Sequence, residues 1–491
     1  MAITHPSSLQ SSLSSLSSLL PPPSSLFPPI MLLILTLLTS FILLIVSTSQ
    51  GYFVAYPLLA TLGLLVAVLM KRGFRFRALM GMAIAGSRKA LSLMSILLLI
   101  GVVIAVWMAA GTVPAMVYYG LQIIHPSAFV FFAFVLTSVV SLLVGTSFGA
   151  VGTIGIALMI MASGSEINPN IVAGAIIAGA YVGDRCSPMS SSANFVAALT
   201  QTDLYGNVRN MVSSAHVTLA LSGIAYLILS WFNPVTLGDD TISQAIAQEF
   251  NLHPIVLLPA LMIVGLSLVR MPVKRLMVVS IGAGVAIAIS LQGYSLLQIM
   301  TFGVTGFDVA DTSPLQSILI GGGVMSMVKV CLVITLSTAL AGIFSGTEAL
   351  SLVQTLLKRA HSRSSLFLST SLVGTAAAAF GCTQTIAILL TQQLVEPRYR
   401  QCQQDDATLA LDMENTVVVL SPLIPWNIAG LVPATLLTVD AGFIPYAIFL
   451  YLLPVVNWIQ LRFGDRHLPP CSLSAQQHTL CNLLPRKKIN S

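Results

Sequence analysis

Charge is what this sequence has least of. Only 8% of its 491 residues are Asp, Glu, Lys or Arg, against 56% hydrophobic, and the mean hydropathy is +0.92. A soluble domain spends about a quarter of its residues on charge, so most of this chain cannot face water. Cysteine is also scarce. Cys186, Cys331, Cys382, Cys402, Cys471 and Cys481 form no CxxC pair and no metal-ligand spacing, which argues against a disulfide framework or a zinc site. The excess of Lys and Arg over acids, 22 to 16, gathers in short loops, as topology signals do, and does not suggest nucleic acid as a partner. Residues 1–29 contain neither Lys nor Arg, so this Ser, Leu and Pro-rich stretch lacks the basic start of a signal peptide and reads as a disordered leader. A true start downstream, near Met31, is also compatible with the sequence.

What is present is a series of apolar runs, many of about 18 residues or more, the length of a bilayer-spanning helix. They include Ile30–Val46, Leu91–Ala110, Phe129–Val144, Leu219–Trp231 with its flanks, Arg275–Leu291 and Ile428–Asp440 with its flanks. The expected fold is an all-α polytopic membrane protein, with the lipid bilayer as partner and about 10 to 13 membrane segments. Basic clusters at Lys71–Arg77 with Arg88 and Lys89, at Arg270–Arg275, at Lys358–Arg363 and at Arg486–Lys488 mark the cytoplasmic side, and so a cytoplasmic C-terminus. The loop with Asp239, Asp240 and Glu249 and the loop with Asp308 and Asp311 carry no Lys or Arg and read as external.

The chain resembles itself. "SLLVGTSFGAVGT" (Ser141–Thr153) matches "SLVGTAAAAFGCTQT" (Ser371–Thr385), and landmarks recur in order: Gly111 and Gly342 lie 231 apart, Gly145 and Gly374 229, Ser187 and Ser421 234. Loop charges place the two halves in opposite orientations, so the expected architecture is two inverted-topology repeats with broken or re-entrant helices. Breaks are expected at Gly111–Pro114, at Gly145–Gly155 including Gly149, at Gly183–Asn194 including Pro188, at Thr383–Gln384, at Ser421–Asn427 including Pro422, and in the second half at Gly342 and Gly346. A helix broken at membrane depth is tolerated only against protein or a wet cavity, where its ends attract anions or coordinate cations.

"GAYVGDRCSPMSSSANF" (Gly179–Phe195) puts Asp184 at the end of an unbroken small and apolar run, and an ionisable group there points to function. This stretch through "TDLYGNVRNM", together with "WMAAGTVPAMVYYGL", "GTSFGAVGTIGIAL" and "ENTVVVLSPLIPWNIAG", resembles the NhaC family of Na+/H+ antiporters over about residues 50–460. The resemblance implies a secondary transporter of the inner (plasma) membrane, built on the ion-transporter fold and often a homodimer. Two positions depart from the family pattern: Ser191 and Asn415 stand where acids are common.

Such exchange needs a carboxylate that binds a proton or a sodium ion but not both. Burial favours the proton and a nearby cation disfavours it. Asp184 is the first candidate and Glu414 its counterpart. Ser187, Asn194, Thr146, Ser147, Asn415, Ser421 and Asn427 offer neutral groups suited to a hard cation. Asp412 is two residues from Glu414, so at most one of them faces the site. Arg185 either balances Asp184, binds a substrate carboxylate, or faces the cytoplasm. No cofactor or resident metal is implied; sodium and protons are cargo, and the partner is a small ion or small molecule. The alternative cargo is an organic anion or amino acid, with Arg185 on its carboxylate. "GTSFG" (Gly145–Gly149) has the G-x-S-x-G pattern of hydrolases, but that pattern needs a strand–turn–helix, so no enzyme is expected. A passive channel fits the acids in broken helices less well. The expected organisation is a leader (1–29), N-terminal membrane helices and a basic loop (30–90), a first transport repeat (91–231), a connecting loop with scaffold helices (232–315), a second transport repeat (316–460) and a cytoplasmic tail (461–491).

Overall fold

The computed structural model describes residues 52–463 except Ile124, Gly164, Glu166, 235–240, Arg270, 309–320 and 347–361, with six single positions between 39 and 50. The leader, Asp239, Asp240, Asp311, Lys358, Arg359, Cys471, Cys481 and the basic cluster 486–488 lie outside the described residues.

The named elements are all helices. Helix α1 (Ala55–Lys71) and α2 (Phe76–Lys89) form an N-terminal pair. Then come α3 (Leu91–Ala109) and α4 (Thr112–Ile123), bent by 69° at Gly111, whose φ is +75. Pro114 lies within the first turn of α4, where its missing N–H costs nothing. Next are α5 (Phe129–Val144), α6 (Ser147–Ser163), α7 (Pro169–Cys186), α8 (Ser191–Thr200) and α9 (Leu204–Phe232). Helices α10 (Thr241–Glu249), α11 (Leu258–Leu268), α12 (Val273–Ser290) and α13 (Leu296–Thr305) link the halves. The second half holds α14 (Gly323–Gly346), α15 (Arg363–Gly381), α16 (Gln384–Gln401), α17 (Asp406–Asn415, resuming at Val417–Leu420), α18 (Ile428–Leu436) and α19 (Ile448–Phe463).

Among the described residues, five helices are long and apolar enough to cross a bilayer, and the two bent pairs raise this to seven. That is fewer than the 10 to 13 segments expected from hydropathy, because breaks and short lengths leave α1, α6 and α19, among others, at 10–17 residues.

Caps recur at a constant spacing between the two halves. Thr146 and Thr383, Asn168 and Asp405, Ser190 and Asn427, and Asp203 and Asp440 each precede the first residue of a helix or 3-10 turn. Each pair stands 237 positions apart, counted as 383 less 146 for the first. Thr146 and Thr383 are both extended and both follow a left-handed residue, Gly145 (φ 72) and Cys382 (φ 52). The Gly145–Gly374 pairing therefore used the wrong register: Gly374 lies in the middle of α15. Gly342 breaks nothing either. It lies inside α14, where a Cβ would meet the Met82 carbonyl and Gly86, so its role is close packing on α2. Gly149 likewise sits inside the first turn of α6 rather than at a break.

Helix α7 occupies the centre, with every residue from Ile171 to Cys186 buried. Small side chains let it approach α5 closely. A Cβ on Gly183 would stand 2.1 Å from the Ser141 carbonyl carbon and 2.3 Å from the Leu142 nitrogen, both backbone atoms that cannot yield. Gly183→Ala is therefore expected to destabilise the protein by about 1–3 kcal/mol, the cost of overpacking. Gly63→Ala, with nothing within 4 Å of its Cβ, should be neutral. A thermal unfolding series in detergent checks both.

Candidate functional site

The Asp184 carboxylate lies in the last turn of α7 with its residue 4% exposed. Burying a charge is costly unless donors receive it, and here they come from chain breaks. Ser192 Oγ donates to Asp184 Oδ2 at 3.2 Å and to the Asp184 carbonyl at 2.8 Å, and its oxygen lies 2.8 Å from Ser190 Oγ. Gln384 Nε2 reaches Oδ2 at 3.4 Å while donating to the Val418 carbonyl at 3.1 Å. The Ser147 amide also faces the carboxylate. Ser147, Ser191 and Gln384 are the first residues of α6, α8 and α16, so three helix N-termini meet at one carboxylate. Their positive dipole ends favour an anion there. Among the described residues, no Lys or Arg pairs with Asp184.

Arg185 follows on the chain but turns elsewhere. Its Nη2 donates to Ser214 Oγ at 2.8 Å and to Asn415 Oδ1, and its Nη1 contacts Cys186 Sγ at 3.2 Å. Asn415 Nδ2 in turn donates to Asn457 Oδ1 at 3.2 Å, and Asn457 Nδ2 to the Leu453 carbonyl at 2.9 Å. A polar layer of neutral partners around the Arg185 guanidinium thus crosses α7, α9, α17 and α19. Beside it, Glu414 is fully buried and neither carboxyl oxygen has a partner.

Several residues expected at the site are placed differently. Asp412 is drawn to Arg363 Nη2 at 2.7 Å and also receives the Tyr399 hydroxyl, so its charge is used to pin α15, α16 and α17 together. Asn194 is exposed and donates to the Pro188 and Ser190 carbonyls at 3.0 and 2.6 Å, tying its own loop. Ser187 is buried but serves the turn, accepting from the Met189 amide at 3.2 Å. Ser421 Oγ donates to the Val417 carbonyl at 2.6 Å, and Asn427 caps α18 while donating to the Ala378 carbonyl at 2.8 Å. Thr146 sits half-buried at the cap of α6. Pro188 and Pro422 stand in the breaks themselves.

Sequence reasoning passed over Gln384, Ser190 and Ser192 as contacts of Asp184, and Ser214 and Asn457 as partners of the Arg185 layer. Gln384 was within reach, since Thr383–Gln384 was expected as a break; the corrected repeat register places it opposite Ser147.

Residues 179–464, more than half the chain, match the Na+/H+ antiporter family. The chain is similar to a Haemophilus influenzae protein described as an uncharacterized Na(+)/H(+) antiporter, 30% identical over 73% of this chain and 80% of that protein. It is also similar to the Na(+)/H(+) antiporter NhaC of Alkalihalophilus pseudofirmus, 30% identical over 74% of this chain and 80% of that one. A Bacillus subtilis malate-2H(+)/Na(+)-lactate antiporter is 28% identical over 80% of this chain and 85% of its own length.

Because Asp412 is 2% exposed and paired, Asp412→Asn should leave Arg363 without its counter-charge and cost about 3 kcal/mol, the penalty for halving a buried ion pair. Chemical denaturation of the purified protein measures this. Transport per folded molecule should be retained, since Asp412 does not contact Asp184.

Proposed function

The chain belongs to the Na+/H+ antiporter family, and we propose that Asp184 is the carboxylate at which it trades sodium for protons across the membrane. The carrying observation is a carboxylate sealed in the core at the meeting of three helix N-termini, supplied with hydroxyl and amide donors but with no cation of its own. The protein is a multi-pass membrane transporter.

Such a site has one vacancy for positive charge. A proton on Asp184 satisfies it, and so does a sodium ion, but the two compete because each needs the same oxygens. Sodium is a hard cation that prefers oxygen ligands. Besides Asp184, the oxygens of Ser190, Ser192 and Ser147, the Gln384 side-chain carbonyl and the Val418 carbonyl are the neutral groups that would receive it. All lie at chain breaks, where backbone groups have no intrahelical partner.

The site draws on both halves: α6, α7 and α8 from the first, α16 and the Val417–Leu420 segment from the second. Halves inserted in opposite senses, rocking about this point, would open it alternately to each side. The repeated caps support duplication, and loop charge supports the opposite insertion. Loop charge also supports cytoplasmic basic loops and a cytoplasmic C-terminus, while residence in the inner (plasma) membrane and a homodimer follow from the family alone. Hydrolysis is not supported: Ser147 opens a helix after a helix break, not after a strand, and its hydroxyl contacts Tyr181.

Organic-anion exchange, the activity in the name of the B. subtilis relative, would need Arg185 free for a substrate carboxylate. Arg185 is 0% exposed, held by Asn415 and Ser214, and already has the buried acid Glu414 beside it, which favours the inorganic ion.

Asp184→Asn should abolish sodium-driven proton movement in inverted vesicles at normal expression. Ser192→Ala and Gln384→Ala should each raise the sodium concentration for half-maximal exchange by about tenfold, the worth of one bond to a charged group. Full exchange in Asp184→Asn removes this residue from the mechanism.

A further inference from the structure

We propose that Glu414 is a second proton carrier of the exchange cycle, set beside the fixed cation of Arg185, so that more than one proton moves against each sodium ion. This rests on the reading of Asp184 as the exchange carboxylate.

Glu414 lies in the last turn of α17, is 0% exposed, and has no donor on Oε1 or Oε2. Protein interiors almost never leave a buried polar group in that condition without a use for it. An ionised carboxylate would lack every hydrogen bond that makes burial tolerable, whereas a carboxyl holding its own proton carries no charge to compensate. The neighbouring cation is not bonded to it. Arg185 Nη2 goes to Asn415, the next residue on the chain, and to Ser214, while Arg185 Nε is left without an acceptor. An unused acid and an unused donor therefore occupy one buried layer. When Glu414 gives up its proton, the Arg185 guanidinium is the cation at hand to receive it.

The other groups around α17 do not compete. From α7 the charged or titratable side chains that sense Glu414 or neighbour it are Arg185, Asp184 and the Cys186 thiol. Arg363 of α15 and Tyr399 of α16 are committed to Asp412. Helices α9 and α19 contribute neutral Ser214 and Asn457.

Charge then decides the coupling. Arg185 is permanently positive. With sodium bound and both carboxylates ionised, the layer is neutral. With both carboxylates protonated and sodium gone, it carries one positive charge. That charge crosses the membrane on the proton-loaded leg, so membrane voltage acts on the cycle. Were Asp184 alone to exchange, with Glu414 permanently ionised against Arg185, both legs would be neutral and voltage would have no effect.

The test uses the full chain reconstituted in liposomes with an internal pH dye and the voltage clamped by a potassium gradient and ionophore. The sodium and pH gradients at which flux reverses give the coupling ratio. In the wild type the reversal point should move with voltage and report more than one proton per sodium. In Glu414→Gln, exchange should persist with the ratio one proton lower and the voltage dependence gone. A wild-type reversal point indifferent to voltage overturns the proposal without any variant, as does a Glu414→Gln protein with wild-type coupling. Sodium exchange surviving in Asp184→Asn would instead strike at the exchange carboxylate itself, a separate readout.

Discussion

A helix cannot stop inside hydrocarbon unless something receives its loose N–H and C=O groups. The architecture around Asp184 follows from that constraint. Breaks at Gly145–Thr146, Ser187–Ser190 and Cys382–Thr383 leave the first turns of α6, α8 and α16 with amides that have no intrahelical acceptor; Ser190 and Thr383 cap those of α8 and α16, and the Ser147 amide faces Asp184. One buried carboxylate sits at the positive ends of these helices, and the side chains of Ser190, Ser192 and Gln384 add donors. The breaks need the acid as much as the acid needs the breaks: without them Asp184 would be an unsupported charge in an apolar core.

Similar breaks occur in both halves, but the halves differ in what they do with them. At Asp203 and Asp440, and at Asn168 and Asp405, the caps still do the same work 237 positions apart. At the centre the position matching Asp184 is Ser421, which only satisfies its own helix. The second half brings its acids from α17 instead. There Asp412 has become structural through Arg363, and Glu414 has been left open beside Arg185. The surroundings of Asp184 are thus asymmetric, with a buried carboxylate from one half and polar support with a second buried acid from the other.

The membrane class and the buried position of Asp184 were legible in the sequence because both depend on local contrast: long apolar runs, and one acid at the end of a small-residue helix. What was not legible depends on partners distant along the chain. Asp412 looked equivalent to Glu414 until Arg363, 49 residues upstream, took it. Asn194 looked like a ligand, but its amide reaches only the turn it belongs to. The repeat was found with a shifted register, because glycine-rich similarity drew Gly145 to Gly374 while the structural equivalence lies at the left-handed residue, glycine in one half and Cys382 in the other. Gly342 misled for a related reason: a glycine needed for close contact with Gly86 has the same sequence appearance as one needed for a break.

The central claim is that sodium and protons compete for one buried carboxylate, and calorimetry reads that competition without transport. Sodium titrated into the purified protein in buffers of different ionisation enthalpy reports how many protons binding displaces. Proton release on sodium binding, lost in Asp184→Asn together with the binding itself, is the expected result. Sodium binding without proton release, or unchanged binding in that variant, would contradict it.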